Sequence, residues 1–321
     1  MDNSRKIVVT NHYGLWNYMF ADLEKNNGAV EQYPFTSYGK SSKEQLFFRI
    51  CNNRLTKSFF QSFWFRHILK RWEISSKENA KILFLSPSLP LLDVSFIKYL
   101  QKIGIPFALL FIDTVQCMGE DWINKVSSYL ELFGGKTYSY DETDAATYHW
   151  IFTRQYYSKL DFPKTDKTMD VFLTLYDKGR AAKALQCYDV LTRRNIECKF
   201  YITGVSDEFA EQNQRPGIVY NEVLSYAEVI KFVMESNVIL ELCQQGQTSN
   251  TLRAFEAVVY DNRLLTDNPN VVGFPYYDET KMKRFEGLED LLQIPLRFFK
   301  EEASTYKYDG RFSPLELFKL I

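Results

Sequence analysis

Three stretches in the second half of the chain carry residue types that suit a phosphate. Asp177-Lys178-Gly179-Arg180 sets two cations around a glycine, after an apolar run and before a helical pattern. A diphosphate needs cations and free main-chain amides, and a helix start supplies amides together with the positive end of its dipole. Gln244-Gln245-Gly246-Gln247-Thr248-Ser249-Asn250 is small and polar and again leads into a helix, so Gln247, Thr248, Ser249 and Asn250 could cradle a phosphate without a lysine. Arg253 and Glu256 then share one helix face at i,i+3 spacing. A carboxylate there could accept from both hydroxyls of a ribose, leaving the arginine to the phosphates. The plainer alternatives are solvated cations at 178 and 180, and an intrahelical pair worth ~0.3 kcal/mol at 253 and 256. The stretches gain weight together, because an open α/β sheet gathers the loops that follow its strands at one edge. In the first half, His12 and Asp113 each follow an expected strand and are candidates for a general base. Their bland alternatives are a surface turn residue and a helix cap.

The elements that must position these residues alternate in type. An expected strand at 6–10 precedes a helical stretch at about 14–25; apolar runs at 82–85 and 107–112 flank a helical pattern at 94–103. After a polar, aperiodic linker at 160–170 the alternation restarts, with strands at 171–176, 199–203, 217–220, 238–242 and 263–266. Helices are expected at 180–194, from the capping box Ser225-x-x-Glu228 onward, and at 249–260. Continuous apolar strands separated by helices point to parallel sheets covered on both faces.

At 321 residues the chain exceeds what one core comfortably fills, so two domains are expected, with a single α/β barrel as the alternative. Its 39 basic and 40 acidic residues nearly cancel, which argues against a protein that holds nucleic acid by its overall field. Five scattered cysteines, never at a C-x-x-C spacing, indicate neither a disulfide framework nor a zinc site. Without a secretion-signal pattern at the start or a bilayer-length apolar run, a cytoplasmic location is expected. Residues 42–72 stand apart: Phe47, Phe48, Phe59, Phe60, Phe63, Trp64 and Phe65 are interleaved with Arg49, Arg54, Lys57, Arg66, Lys70 and Arg71, and Glu44 is the only acid. Such a segment suits contact with anionic lipid on the inner face of a membrane; equally, it suits a core helix with a solvated cationic face.

The order strand, Lys-Gly loop, helix, later strand, polar turn and Glu-bearing helix resembles the donor-binding domain of GT-B glycosyltransferases. The segment Glu256-Ala257-Val258-Val259-Tyr260-Asp261-Asn262-Arg263-Leu264-Leu265-Thr266 is similar to that superfamily's Glu-Ala helix and following strand. Tyr138-Ser139-Tyr140-Asp141-Glu142-Thr143-Asp144-Ala145 is similar to a segment of bacterial GT-B enzymes from surface-polysaccharide gene clusters. The resemblance implies two Rossmann-like, doubly wound domains facing across a cleft. Residues 1–165 would form the acceptor side and 166–305 the donor side, with 306–321 a C-terminal segment, a helix at 313–321, packing back on the first domain. It implies metal-independent transfer of a hexose-type sugar from a nucleotide-diphosphate donor, a UDP-sugar, to a saccharide or lipid-linked acceptor, with no other cofactor. Lys178, Arg180 and Arg253 would then meet the diphosphate, Glu256 the ribose, and the loop at Glu222 and Val223 the base. Thr248 stands where retaining members carry a further carboxylate, so the stereochemical outcome stays open. Open too are a non-catalytic GT-B-like subunit that partners an active transferase, and a sugar-nucleotide epimerase of the same architecture.

Overall fold

The computed structural model describes residues 5–10, 15–24, 28–32, 41–74, 80–91, 93–163, 165–244, 249–319 and 321. They divide into two compact units, one running to Leu160 and joined by Phe312–Ile321, the other Asp161–Arg311.

The first unit is built on a parallel sheet of β1 (Arg5–Thr10), β2 (Gly28–Gln32), β3 (Ala80–Leu85), β4 (Phe107–Phe111), β5 (Thr137–Ser139) and β6 (Ile151–Phe152) in the order β2-β1-β3-β4-β5-β6. The side chains of Ile82, Leu83, Phe84 and Leu85 are all buried, as a strand with helices on both faces requires. Asp93 accepts from the Ser95 amide at 2.8 Å to start the helix Val94–Ile103, and Gly104, at φ +73°, ends it. The aromatic-basic segment is two helices, Ser42–Asn52 and Lys57–Arg71, broken at Asn53, whose side chain accepts from the Leu55 amide at 2.9 Å.

Residues 313–321, expected as a helix, hold a 3-10 turn at Leu317–Lys319 and no α-helix among the described residues. Successive bonds from Glu316 to Ser313, Leu317 to Pro314 and Lys319 to Glu316 keep the backbone in the tighter winding. The segment is fastened to the first unit by Ser313 Oγ donating to Asp22 at 2.7 Å, and by Lys81 Nζ donating to the Phe318 carbonyl at 3.0 Å.

The second unit holds β7 (Met169–Tyr176), β8 (Cys198–Thr203), β9 (Ile218–Tyr220), β10 (Ser236–Glu241), β11 (Arg263–Thr266) and β12 (Met282–Arg284), all parallel, in the order β12-β11-β10-β7-β8-β9. The first three strands run outward one way from β7 and the last three the other way, so the order reverses between β7 and β10. In open α/β sheets the carboxyl edge at such a reversal is where ligands bind. The unit begins before β7 because Lys167 Nζ donates to the Ser236 carbonyl at 2.6 Å. It runs to Arg311 because the Tyr306 amide donates to Asp261 and Tyr276 holds Asp309 at 2.5 Å. Its core gathers Leu173, Ala184, Leu191, Phe200, Leu240, Leu265 and Phe299.

Candidate functional site

β7 and β10 are neighbours, with Val238 beside Val171 and Ile239 beside Phe172, so their following loops emerge side by side. After β7 the chain turns through Asp177–Arg180, with Lys178 at φ +40° and Gly179 at φ +84°. The Asp177 carboxylate accepts from the Ala181 amide at 2.7 Å and so fastens the start of the helix Ala181–Arg193. Lys178 projects into solvent and pairs with no acid among the described residues.

Arg180, expected beside Lys178 at a diphosphate, instead turns back into the fold. Its Nε donates to the Asp177 carbonyl at 3.2 Å, Nη1 to the Leu242 carbonyl at 2.8 Å, and Nη2 to the Tyr176 carbonyl at 2.5 Å. Three of its five donors are therefore spent on tying the post-β7 loop to the post-β10 loop. Burial pulls its pKa down, while Cys243, Asp177, Asp267 and Glu241 around it oppose that shift. Lys183, in the first turn of the helix, reaches Asp267 after β11 at 2.8 Å, and Asp267 also accepts from the Cys243 amide at 2.7 Å.

Beneath these loops lies Glu241, buried at the end of β10. The hydroxyls of Thr251 and Thr266 both donate to it. Burial pushes its carboxyl above the usual range, against the pull of those two bonds. Thr251 also caps the helix Leu252–Val259 by accepting from the Arg253 amide at 3.1 Å, so a single hydroxyl joins the strand end to the helix start. Asn268 Nδ2 donates to the Ser249 carbonyl at 3.1 Å, and Asn250 Oδ1 is buried with no partner among the described residues.

Glu256 is 0% exposed. Tyr226 Oη donates to its Oε1 at 2.7 Å and Arg253 donates to Oε2. Burial pushes the Glu256 carboxyl up, while Arg253 and the two hydrogen bonds pull it back. Tyr226 opens the helix Tyr226–Glu235, which starts from the Ser225–Glu228 capping box, directly after exposed Glu222 and Val223. Asn221, in the same loop at φ +56°, accepts from the Gly204 amide at 3.0 Å and donates to the Val205 carbonyl at 3.0 Å. The loops after β7, β8, β9, β10 and β11 are thus cross-linked at one edge of the sheet.

The three stretches singled out by residue type therefore meet: Lys178, Arg180, Ser249, Asn250, Arg253 and Glu256 share that edge, with the Glu222–Val223 loop tied in through Tyr226. Gln247, Thr248 and His12 lie outside the described residues. Asp113 is exposed just past β4 in the first unit. The nearby Val115 amide donates to buried Asp144 at 2.7 Å. Burial, and secondarily Asp141 alongside, push the Asp144 carboxyl up. Sequence reasoning missed Glu241, Tyr226, Lys183 and Asp267. Glu241 had one visible signal, an acid inside the apolar run 238–242, which a buried strand tolerates only with partners. Among the described residues no three His, Cys, Asp or Glu side chains are placed to hold a metal ion, and no helix is long and apolar enough to cross a membrane.

No family model matches the chain, and no curated protein matches it. Solved structures do. The structure of HepE from Anabaena in complex with UDP-glucose is similar at 7% identity, over 90% of this chain and 88% of that one, with a TM-score of 0.53. UDP-GlcNAc 2-epimerase from Neisseria meningitidis, bound to UDP-GlcNAc, is similar at 10% identity, over 99% of each chain, with a TM-score of 0.52. The fold of this chain, two parallel-sheet α/β domains of alternating strands and helices, is the GT-B fold of these nucleotide-sugar proteins.

Proposed function

We propose that the chain is a metal-independent glycosyltransferase that takes a sugar from a UDP-sugar held at the carboxyl edge of β7 and β10. The observation that carries the reading is that the loops bearing Lys178 and the Arg253–Glu256 pair follow the neighbouring strands β7 and β10, between which the strand order reverses. Both similar structures named above contain a UDP-sugar, which supports the choice of donor. In this reading Lys178 and the helix amides meet the diphosphate, and Arg180 holds the two loops at the right separation. Arg253 leaves Glu256 for the phosphates as the ribose hydroxyls take its place on the carboxylate. Glu222 and Val223 border the base, and Gln247, Thr248, Ser249 and Asn250 complete the phosphate cradle.

The bond between the anomeric carbon and the diphosphate oxygen breaks as the acceptor oxygen bonds to that carbon, and the electron pair moves onto the diphosphate. Fixed cations and amides aimed at that charge lower the barrier without a metal. For an inverting outcome the acceptor proton passes to a base, for which His12 and Asp113 are the candidates. Assembly of a bacterial surface polysaccharide, on a saccharide or lipid-linked acceptor, is the setting to which the likeness of residues 138–145 points.

A second reading is a sugar-nucleotide epimerase, favoured by a fold similarity to the Neisseria enzyme that spans 99% of both chains. Incubation with UDP-glucose and UDP-GlcNAc, followed by NMR of the products, separates the two. Free UDP released in step with a glycosylated acceptor supports transfer, whereas an altered UDP-sugar formed with no acceptor present replaces transfer by epimerisation. An intact donor that binds without turnover, across a panel of saccharide acceptors, assigns the chain to a non-catalytic partner role.

A further inference from the structure

The hairpin Ser42–Asn52 and Lys57–Arg71 has one side in the core, where Cys51, Trp64, Phe65, Ile68 and Leu69 are buried. Its other side is bare. Leu46, Ile50, Leu55, Phe59, Phe60 and Phe63 are all exposed, with Leu55 in the turn at 85% and Phe59 at 76%. The eight other large apolar side chains so exposed are spread over the rest of the described residues. A concentration of this kind on one hairpin marks an interaction surface.

Charge says what covers it. Residues 42–72 contain seven Lys and Arg against one acid, Glu44, and that acid is engaged by His67 at 2.9 Å and lies 4.0 Å from Arg71. Subtracting those seven and that one from the whole-chain totals of 39 and 40 leaves 32 cations against 39 acids, so the hairpin is a basic island on an otherwise acidic chain. The cations sit among the apolar side chains: Arg54 adjoins Leu55, Lys57 precedes Phe59, and the Arg66 guanidinium lies 4.7 Å over the Phe63 ring. A second copy of the chain would bring two basic hairpins together, like charge against like charge. An anionic bilayer matches both features, since its phosphates take the cations while its acyl boundary takes Leu and Phe.

We propose that this hairpin docks the protein on an anionic membrane surface, lying in the headgroup plane with Leu55 and Phe59 leading. The proposal uses no residue of the nucleotide-sugar site, so either reading can fail while the other stands.

Co-sedimentation of the full chain with phosphatidylcholine vesicles, with and without phosphatidylglycerol, tests it. Binding is expected with phosphatidylglycerol and much weaker without it. The L55D/F59D variant should lower the partition coefficient by roughly a hundredfold or more, from the apolar area it withdraws. R54A and K57A should each lower it about fivefold and flatten its salt dependence. All four side chains are exposed, so these variants should melt with the wild type; UDP affinity measured on the same samples reports the nucleotide site separately. Equal binding to both vesicle types, or undiminished binding of L55D/F59D, overturns the proposal. A lipid-free dimer that L55D/F59D dissociates overturns it as well, assigning the face to a second copy.

Discussion

Replacing Arg253 by alanine isolates the interaction on which the donor edge most depends. Glu256 has no solvent exposure and two donors, Tyr226 and Arg253. Removing the guanidinium leaves a buried carboxylate with the phenol alone, and breaking a buried pair from one side costs about 3 kcal/mol or more. In a domain of this size that corresponds to roughly 6–12 °C in melting temperature. The cost depends on pH, because burial already pushes the Glu256 carboxyl up and Arg253 opposes that shift. Without Arg253 the folded-state pKa rises further above its unfolded value, so the acid relieves itself by taking a proton. Stability is then retained at low pH and lost as pH rises from the ordinary carboxylate range through the folded-state pKa. Thermal melts of R253A against the wild type at pH 5 and pH 8 should show a small deficit at the lower pH and the full one at the higher. E256Q in the R253A background removes the stranded charge and should restore most of the loss at pH 8. A deficit independent of pH, or no rescue by E256Q, would refute the reasoning that Glu256 is a buried carboxylate held by Arg253.

Other outcomes follow from the same geometry. E241Q keeps the shape but removes a carboxyl whose pKa burial raises, so its melting temperature relative to the wild type should climb between pH 5 and pH 8; a flat difference would mean that Glu241 is not titrating there. K178A should change the melting temperature by no more than a surface substitution does, yet weaken UDP binding about tenfold by calorimetry, the loss of one charge-assisted contact. G217A should cost about 3 kcal/mol in urea titration, because Gly217 sits at φ +82° and a Cβ would fall 2.4 Å from the Cys198 carbonyl oxygen, a backbone atom that cannot step aside.

Much of the second unit was readable from residue pattern. The strand expected at 263–266 is β11, the helix expected at 180–194 is Ala181–Arg193, and the Ser225–Glu228 capping box is present with both reciprocal bonds. These elements combine strong periodicity with local start and stop chemistry, so sequence neighbours decide them. What escaped was short or non-local. β2, β6 and β12 are sheet-edge strands of two to five residues, too brief for alternation to register, and their pairing comes from β1, β5 and β11. The helix expected at 249–260 starts only at Leu252, because Thr251, held by Glu241, acts as its cap.

The site shows the same division. The types of Lys178, Arg253 and Glu256 pointed to one edge, and the topology brings them there. The inward turn of Arg180 depends on a carbonyl at Leu242, 62 positions away, and the hold on Glu256 depends on Tyr226, 30 positions away. No local pattern encodes either contact.

The central claim is that the sheet edge formed by the loops after β7 and β10 receives a nucleoside diphosphate. Hydrogen-exchange mass spectrometry of the full chain with and without UDP tests it most directly. The account predicts slowed exchange chiefly in the peptides covering 177–183 and 249–256, with a smaller effect at 221–226. Binding that protects other segments and leaves the first two unchanged would contradict it.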